Sequence, residues 1–386
     1  MPKLIRITTV PMALKHLLAG QMKYMSQHGF TVIMVSTDGK ERQDVIKNEG
    51  CDHVIIPMTR KITPFADIKS LWLLYRFLKK EKPDIVHSHT PKAGLLAMLA
   101  AKFAGIKIRI HTIAGLRFMT STGITRTVLI WMEKITAGAA TYVWPNSFSL
   151  LSYISRNKLV KQSKMQVIGH GSTNGINLQR FSASSLKDEK LEEIKKLINY
   201  NDELIFLLCV GRVVKDKGIE ELLKAFKNLY TENEKLRLVL LGSFEEDLDP
   251  LDDETRTILS THPGIIHISW NDAVEYFMQI ADMLVHPSYR EGFPNVLLQA
   301  GAMNCPVLCS RIEGNIDIVT HDSTGLVFEV RNEMDLKDKL QYALNHPVKM
   351  KEYANNLRQK IEMQYDQKFV QETLRNKYVE LLNERG

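Results

Sequence analysis

Short apolar runs alternate with longer amphipathic stretches along most of this chain. Runs at 4–9, 31–36, 53–56, 85–89, 108–113, 142–145 and 165–168 read as strands. Between them, 13–28, 68–80 and 94–104 have helix length. Runs that are apolar on both faces, separated by helical spacers, mark a parallel sheet covered on both sides. Around 169–180 the pattern breaks into a Gly/Ser/Asn-rich connection, and a charged helix at 186–198 follows. The rhythm then restarts, with strands at 205–210, 236–241, 265–268, 283–286 and 306–310 and a helix at 219–230. The chain thus reads as two doubly wound α/β domains joined near residue 175, with bounds 1–178 and 179–367. A last helix from about 368, with Val370, Leu374, Tyr378 and Leu381 on one stripe, is long enough to pack back on the first domain.

Composition narrows the class. At 386 residues the chain suits two domains. Cys51, Cys209, Cys305 and Cys309 have no zinc or CxxC spacing, so buried thiols in a reducing cytoplasm are expected. The start, Met1 to Ile7, reads as a strand rather than a secretory leader. No run of about 18 uninterrupted apolar residues is present. The net charge of +7 is unevenly spread: residues 1–180 carry +17, which leaves −10 for the remainder. The first half is therefore expected to face something anionic: nucleic acid, anionic lipid or a diphosphate. No RRM or helix-turn-helix pattern favours nucleic acid.

Two segments carry candidate chemistry. Ser288-Tyr289-Arg290-Glu291-Gly292-Phe293-Pro294-Asn295-Val296 follows a strand and opens a helix that includes Gln299. Such a turn lies at the carboxyl edge of a parallel sheet, with helix N–H groups free for a phosphate or a hydroxyl. Gly211-Arg212-Val213-Val214-Lys215-Asp216-Lys217-Gly218 follows another strand of that half and also opens a helix. Arg212 offers a bidentate fork to phosphate and Lys217 a point charge. The loop is neither Walker A nor GxGxxG.

Together these motifs resemble the donor domain of the retaining glycosyltransferases of family 4, which have the GT-B fold of two Rossmann-like domains facing a central cleft. Asn174-Gly175-Ile176-Asn177, Gly314 with Asp317, and Thr324-Gly325-Leu326-Val327-Phe328 extend the resemblance. In the first half, Thr9-Val10-Pro11, Gly20-Gln21, the stretch His87 to Gly94 and the stretch Thr112 to Arg117 are similar to bacterial enzymes that build capsule and O-antigen sugars on a lipid carrier. The resemblance implies that Gly211, Arg212 and Lys217 hold the donor diphosphate and that Glu291 binds hydroxyls of the transferred sugar. Gly292, Phe293, Pro294, Asn295 and Val296 would present backbone groups. The family's second Glu, which binds the ribose, is Gln299 here, so a weaker ribose contact is expected. Many relatives have a Gly-Gly pair after the first strand, where this chain has Val10-Pro11. His111 is the candidate for contact with the transferred sugar, the other reading being a satisfied buried imidazole.

His87 and His89 are expected to point to opposite faces of their strand and so not to chelate one metal. His89, Lys92 and Arg117 are weaker acceptor-site candidates; an exposed, solvated Lys92 is the competing reading. Basic and aromatic residues around Trp72 and Trp131 suit an anionic membrane surface, unless both rings are core. The expectation is then a metal-independent retaining transferase without cofactor. It would move a sugar from a nucleotide-sugar, UDP-linked by resemblance, to a polyprenyl-diphosphate-linked glycan at the inner face of the cell membrane. A UDP-sugar epimerase of the same fold and a non-catalytic sugar-nucleotide binder are the alternatives.

Overall fold

The computed structural model describes residues 1–245 and 249–384. The chain divides into two compact units, Met1–Gly175 with Gln367–Gly386, and Ile176–Asp366. The first holds β1 (Lys3–Ile7), β2 (Thr31–Ser36), β3 (Asp52–Ile55), β4 (Ile85–Ser88), β5 (Ile108–Ile113) and β6 (Tyr142–Pro145). They form one parallel sheet in the order β3-β2-β1-β4-β5-β6. The second holds β7 (Ile205–Val210), β8 (Leu236–Leu241), β9 (Ile265–Ile268), β10 (Met283–His286), β11 (Val307–Ser310) and β12 (Leu326–Phe328). Their order is β12-β11-β10-β7-β8-β9, again parallel. Counted from its own first strand, each sheet has the Rossmann order 3-2-1-4-5-6. The order reverses between β1 and β4 in one unit and between β7 and β10 in the other. Crevices for ligands open at such switch points, outside the carboxyl ends of the strands.

The central strands are buried on both faces, which is why they read as unbroken apolar runs. Each unit has one apolar cluster on either side of its sheet. The helix Gln367–Asn383 closes the first unit, burying Leu374, Tyr378 and Leu381 against Met22, Phe30 and Trp144.

Two sequence expectations are corrected. The segment 165–168 is not a strand: it makes a single bridge, Met165 to Val143, and then turns away. The helix expected over 13–28 is two helices, Pro11–Leu17 and Gln21–Gln27. Gly20 between them takes φ +75°, and its N–H donates to Glu49 at 2.6 Å. Apolar spacing continues through this break, so periodicity alone does not reveal it.

Candidate active site

The loops after β7, β8, β10 and β11 meet at the carboxyl edge of the second sheet, and glycines let them meet. A Cβ on Gly218 would run into the carbonyl of Pro287, one on Gly242 into that of Gly211, and one on Gly314 into that of Gly292. Gly218 and Gly314 also hold φ of +67° and +84°, which other residues rarely adopt. Polar ties reinforce the contact. Tyr289 N donates to the Asp216 carbonyl at 2.9 Å, and Arg290 pairs with the Asp216 carboxylate at 2.8 Å. The Arg212–Lys217 loop and the Glu291 loop are thus adjacent across the β7/β10 switch point, where the fold opens its crevice.

The charged groups there pair with one another. The Lys217 ammonium contacts Glu291 Oε1, and His286 Nε2 lies 3.3 Å from the same oxygen, too poorly aligned for a hydrogen bond. Burial pushes the Glu291 carboxyl up, but Lys217 and His286 outweigh burial and hold it well below the usual carboxylate range. Arg212 Nη1 pairs with Glu245 Oε2 at 2.6 Å, in a partly exposed position. Two cations and two carboxylates balance locally, so an incoming diphosphate competes with carboxylates rather than with water alone.

Next along the chain, the helix Asn295–Ala302 opens without a side-chain cap, leaving its first N–H groups to outside acceptors. Phe293 turns inward, its ring 5.3 Å from that of Tyr365, so this residue offers only backbone to the crevice. Gln299 is half-buried one turn after Asn295.

The first unit uses its polar residues differently. Arg6, buried in β1, donates to the Tyr378 hydroxyl and to Gln21 Oε1. The Tyr378 hydroxyl in turn lies 2.5 Å from His87 Nδ1, and His87 Nε2 lies 2.7 Å from Thr112 Oγ1. Arg6 can only donate, so the Tyr378 oxygen accepts from it and keeps its own proton available for His87 Nδ1.

His87 and His89 share one face, with ring centroids 4.3 Å apart, which overturns the expectation of opposite faces. The reason is elementary: alternation along a strand has period two, so residues two apart point the same way. Both line a cavity of about 30 Å³ with Thr112 and Trp144, large enough for about two waters. Neither ring nitrogen of His89 has a partner among the described residues.

His111 lies within β5 and faces the other side of the sheet. Its Nδ1 is 2.9 Å from Ser88 Oγ, and its ring packs so closely on Gly94 that a Cβ there would collide. Burial lowers its pKa to about 4, so the ring is neutral at ordinary pH. His111 is thus a buried, neutral imidazole with Nδ1 bonded to Ser88. The competing reading of Lys92 as an exposed, solvated lysine is excluded: it is 6% exposed and paired with Asp67, which Thr63 Oγ1 contacts at 3.0 Å. Arg117 is exposed in the short helix Arg117–Met119.

Trp72 and Trp131 are not core: they are 53% and 63% exposed. Helices Pro64–Glu81, Pro91–Phe103 and Gly123–Ala139 pack side by side on one face of the first sheet. On their outer surface Phe65, Ile68 and Trp72 form one helical stripe, and Ile124, Val128, Trp131 and Ile135 form another. Arg76 lies over the Trp72 ring at 4.7 Å. Among the described residues no helix is long and apolar enough to cross a membrane.

Known proteins place this architecture. Residues 190–361 match the family described as Glycosyl transferases group 1, and residues 16–171 match the Glycosyl transferase 4-like domain. The capsular polysaccharide biosynthesis glycosyltransferase CapM of Staphylococcus aureus is 35% identical over 386 residues, covering 99% of this chain and 98% of CapM. The chain belongs to the group 1, family 4-like glycosyltransferases. A UDP-Gal:alpha-D-GlcNAc-diphosphoundecaprenol alpha-1,3-galactosyltransferase of Escherichia coli is 26% identical, over 82% of this chain and 80% of its own. In fold, the glycosyltransferase resembles a crystal structure of Anabaena HepE in complex with UDP and glucose. That match has a TM-score of 0.80 at 12% identity, over 98% of this chain and 100% of that one.

Two side chains of this glycosyltransferase's crevice escaped the sequence reading. Glu245 gives no signal beyond an acidic residue after a strand, and His286 reads as the apolar strand's last residue. Only the sheet order carries both to the switch point.

Proposed function

We propose that this glycosyltransferase moves a sugar, with retained anomeric configuration, from a UDP-sugar to a lipid-linked glycan during synthesis of a surface polysaccharide. The observation that carries the reading is the meeting of Lys217 and Glu291, with Arg212 alongside, at the β7/β10 switch point. A leaving diphosphate gains charge as the glycosidic bond breaks. Arg212, Lys217 and the N-terminus of the helix Asn295–Ala302 stabilise that charge, while Glu291 accepts hydrogen bonds from sugar hydroxyls. The departing phosphate oxygen then takes the acceptor's proton, so the new bond forms on the face that the old one leaves. The names of the capsular and diphosphoundecaprenol relatives support the polysaccharide role, the UDP-sugar donor and the polyprenyl-diphosphate acceptor.

A thermal-shift screen of UDP- and GDP-sugars tests the donor, because a ligand that binds only the native state raises its stability. A UDP-sugar should stabilise the protein, and turnover with a polyprenyl-diphosphate glycan should give a product whose anomeric configuration matches the donor. No stabilisation by any nucleotide-sugar would sink the reading. Release of a free or epimerised sugar with no need for acceptor would replace transferase by epimerase.

The exposed stripes on Pro64–Glu81 and Gly123–Ala139, amid the +17 charge of residues 1–180, support attachment to the inner, anionic face of the membrane. Aromatic rings enter the headgroup layer while Lys and Arg meet lipid phosphates. Sedimentation with phosphatidylglycerol vesicles but not with phosphatidylcholine vesicles is the expected result.

A further inference from the structure

The two oxygens of Glu291 have different surroundings. Oε1 receives the Lys217 ammonium and faces His286 Nε2 at 3.3 Å, whereas Oε2 has no hydrogen-bond partner among the described residues. His286 ends β10, opposite Cys309 of β11, and is 3% exposed. Burial lowers its proton affinity and Lys217 adds to that, while Glu291 pulls the other way; the balance leaves the ring neutral at neutral pH. A neutral imidazole facing a carboxylate oxygen is favourable when the facing nitrogen carries the proton. Lysine is a flexible point charge and by itself fixes no carboxylate orientation. A ring held at a buried strand end does.

Resting on the donor-site reading above, we propose that His286 is a positioning residue: its buried Nε2, 3.3 Å from Glu291 Oε1 and without a hydrogen-bond partner among the described residues, closes on that oxygen when the donor binds and holds it beside Lys217, so that Oε2 faces the hydroxyls of the donor's sugar. It acts through Glu291 and touches no substrate. The nucleotide half of the donor does not depend on it. His286 therefore governs how much tighter a sugar nucleotide binds than the bare nucleoside diphosphate.

Calorimetric titration of UDP, and of the UDP-sugar selected by the thermal screen, into wild type, H286Q, H286N and H286F tests this. Gln keeps an N–H donor at similar reach, Asn is too short, and Phe fills the space without a donor. H286F and H286N should weaken UDP-sugar binding about 10-fold while leaving UDP within about 2-fold, and H286Q should recover most of the loss. KM for the donor should rise more than kcat falls. Should H286F not fold, H286N against H286Q decides. Wild-type UDP-sugar affinity in H286F or H286N overturns the proposal, as does equal loss of UDP and UDP-sugar in all three variants with a lowered melting temperature, which is a purely structural role. The donor-site reading fails separately: K217A and E291Q would then leave UDP-sugar binding intact, whatever His286 does.

Discussion

The two sheets share one strand order, so each unit has a switch point, yet the two are furnished in opposite ways. At β1/β4 most polar groups pair with one another, His89 being the exception. Thr9 and Thr90 hydroxyls bond each other at 2.8 Å, and beneath them Arg6, His87 and Tyr378 form a buried chain. At β7/β10 the charged groups form partly exposed pairs, Lys217 with Glu291 and Arg212 with Glu245, which a charged ligand can replace. A fully buried network loses heavily when one member goes, because its partner is left unsatisfied. A partly exposed ion pair contributes little to stability and can exchange partners. The same topology therefore provides a structural lock in one unit and a candidate binding site in the other.

The sharpest way to break this comparison is to remove a charge from the second switch point. Lys217→Ala or Arg212→Ala should lower kcat/KM by about 10²-fold or more, with the melting temperature unchanged in Arg212→Ala and lowered in Lys217→Ala, where Glu291 loses its counter-charge. Normal turnover in both variants would mean that the crevice is not where the diphosphate sits.

The converse experiment is Tyr378→Phe, which deprives both Arg6 and His87 of a partner. It should cost about 2–3 kcal/mol of stability, read from denaturant unfolding, with no change in donor affinity. A loss of donor affinity without a loss of stability would reverse the assignment of lock and site.

Acid tests the buried imidazoles of the first unit. His87, His89 and His111 are held neutral by burial, with pKa values lowered from the ordinary value. The unfolded chain therefore takes up protons that the folded one refuses. Stability from these rings is complete above about pH 6.5, and is lost as pH falls towards about 4, the value for His111. Unfolding followed at pH 7, 6 and 5 should show the decline, with a shallower slope in His89→Gln. A flat profile over that window would contradict the buried-neutral assignment.

Smaller effects test the balance of charge. Glu245→Gln frees Arg212 and should tighten UDP binding by about 2–5-fold at low salt, fading at high salt. Gln299→Glu should be tolerated and should strengthen the nucleotide contact by a similar factor. Collapse of activity in Gln299→Glu would show that the carboxamide serves another purpose.

Much of this was legible along the chain, and the errors are instructive. The strands and the two motifs show in sequence because each is local: an apolar run, a turn, a helix start. The break at Gly20 was missed because its apolar spacing continues unbroken. Lys92 read as solvated because nothing nearby in sequence announces Asp67. Trp72 and Trp131 could be core or surface until the packing of their helices showed which face pointed outward.

What the amino-acid order by itself determined is the double α/β rhythm, the charge imbalance and the identity of the loops that bear Arg212, Lys217 and Glu291. Those follow from short-range rules of periodicity, turn chemistry and charge. The tertiary structure alone decided that the loops after β7 and β10 are neighbours, that Glu245 and His286 join them, and that Arg6, His87 and Tyr378 are tied together instead. Sheet order sets such neighbours, through crossovers that bring together residues as far apart as Lys217 and Glu291, and that order is fixed by how helices and strands bury their apolar faces together.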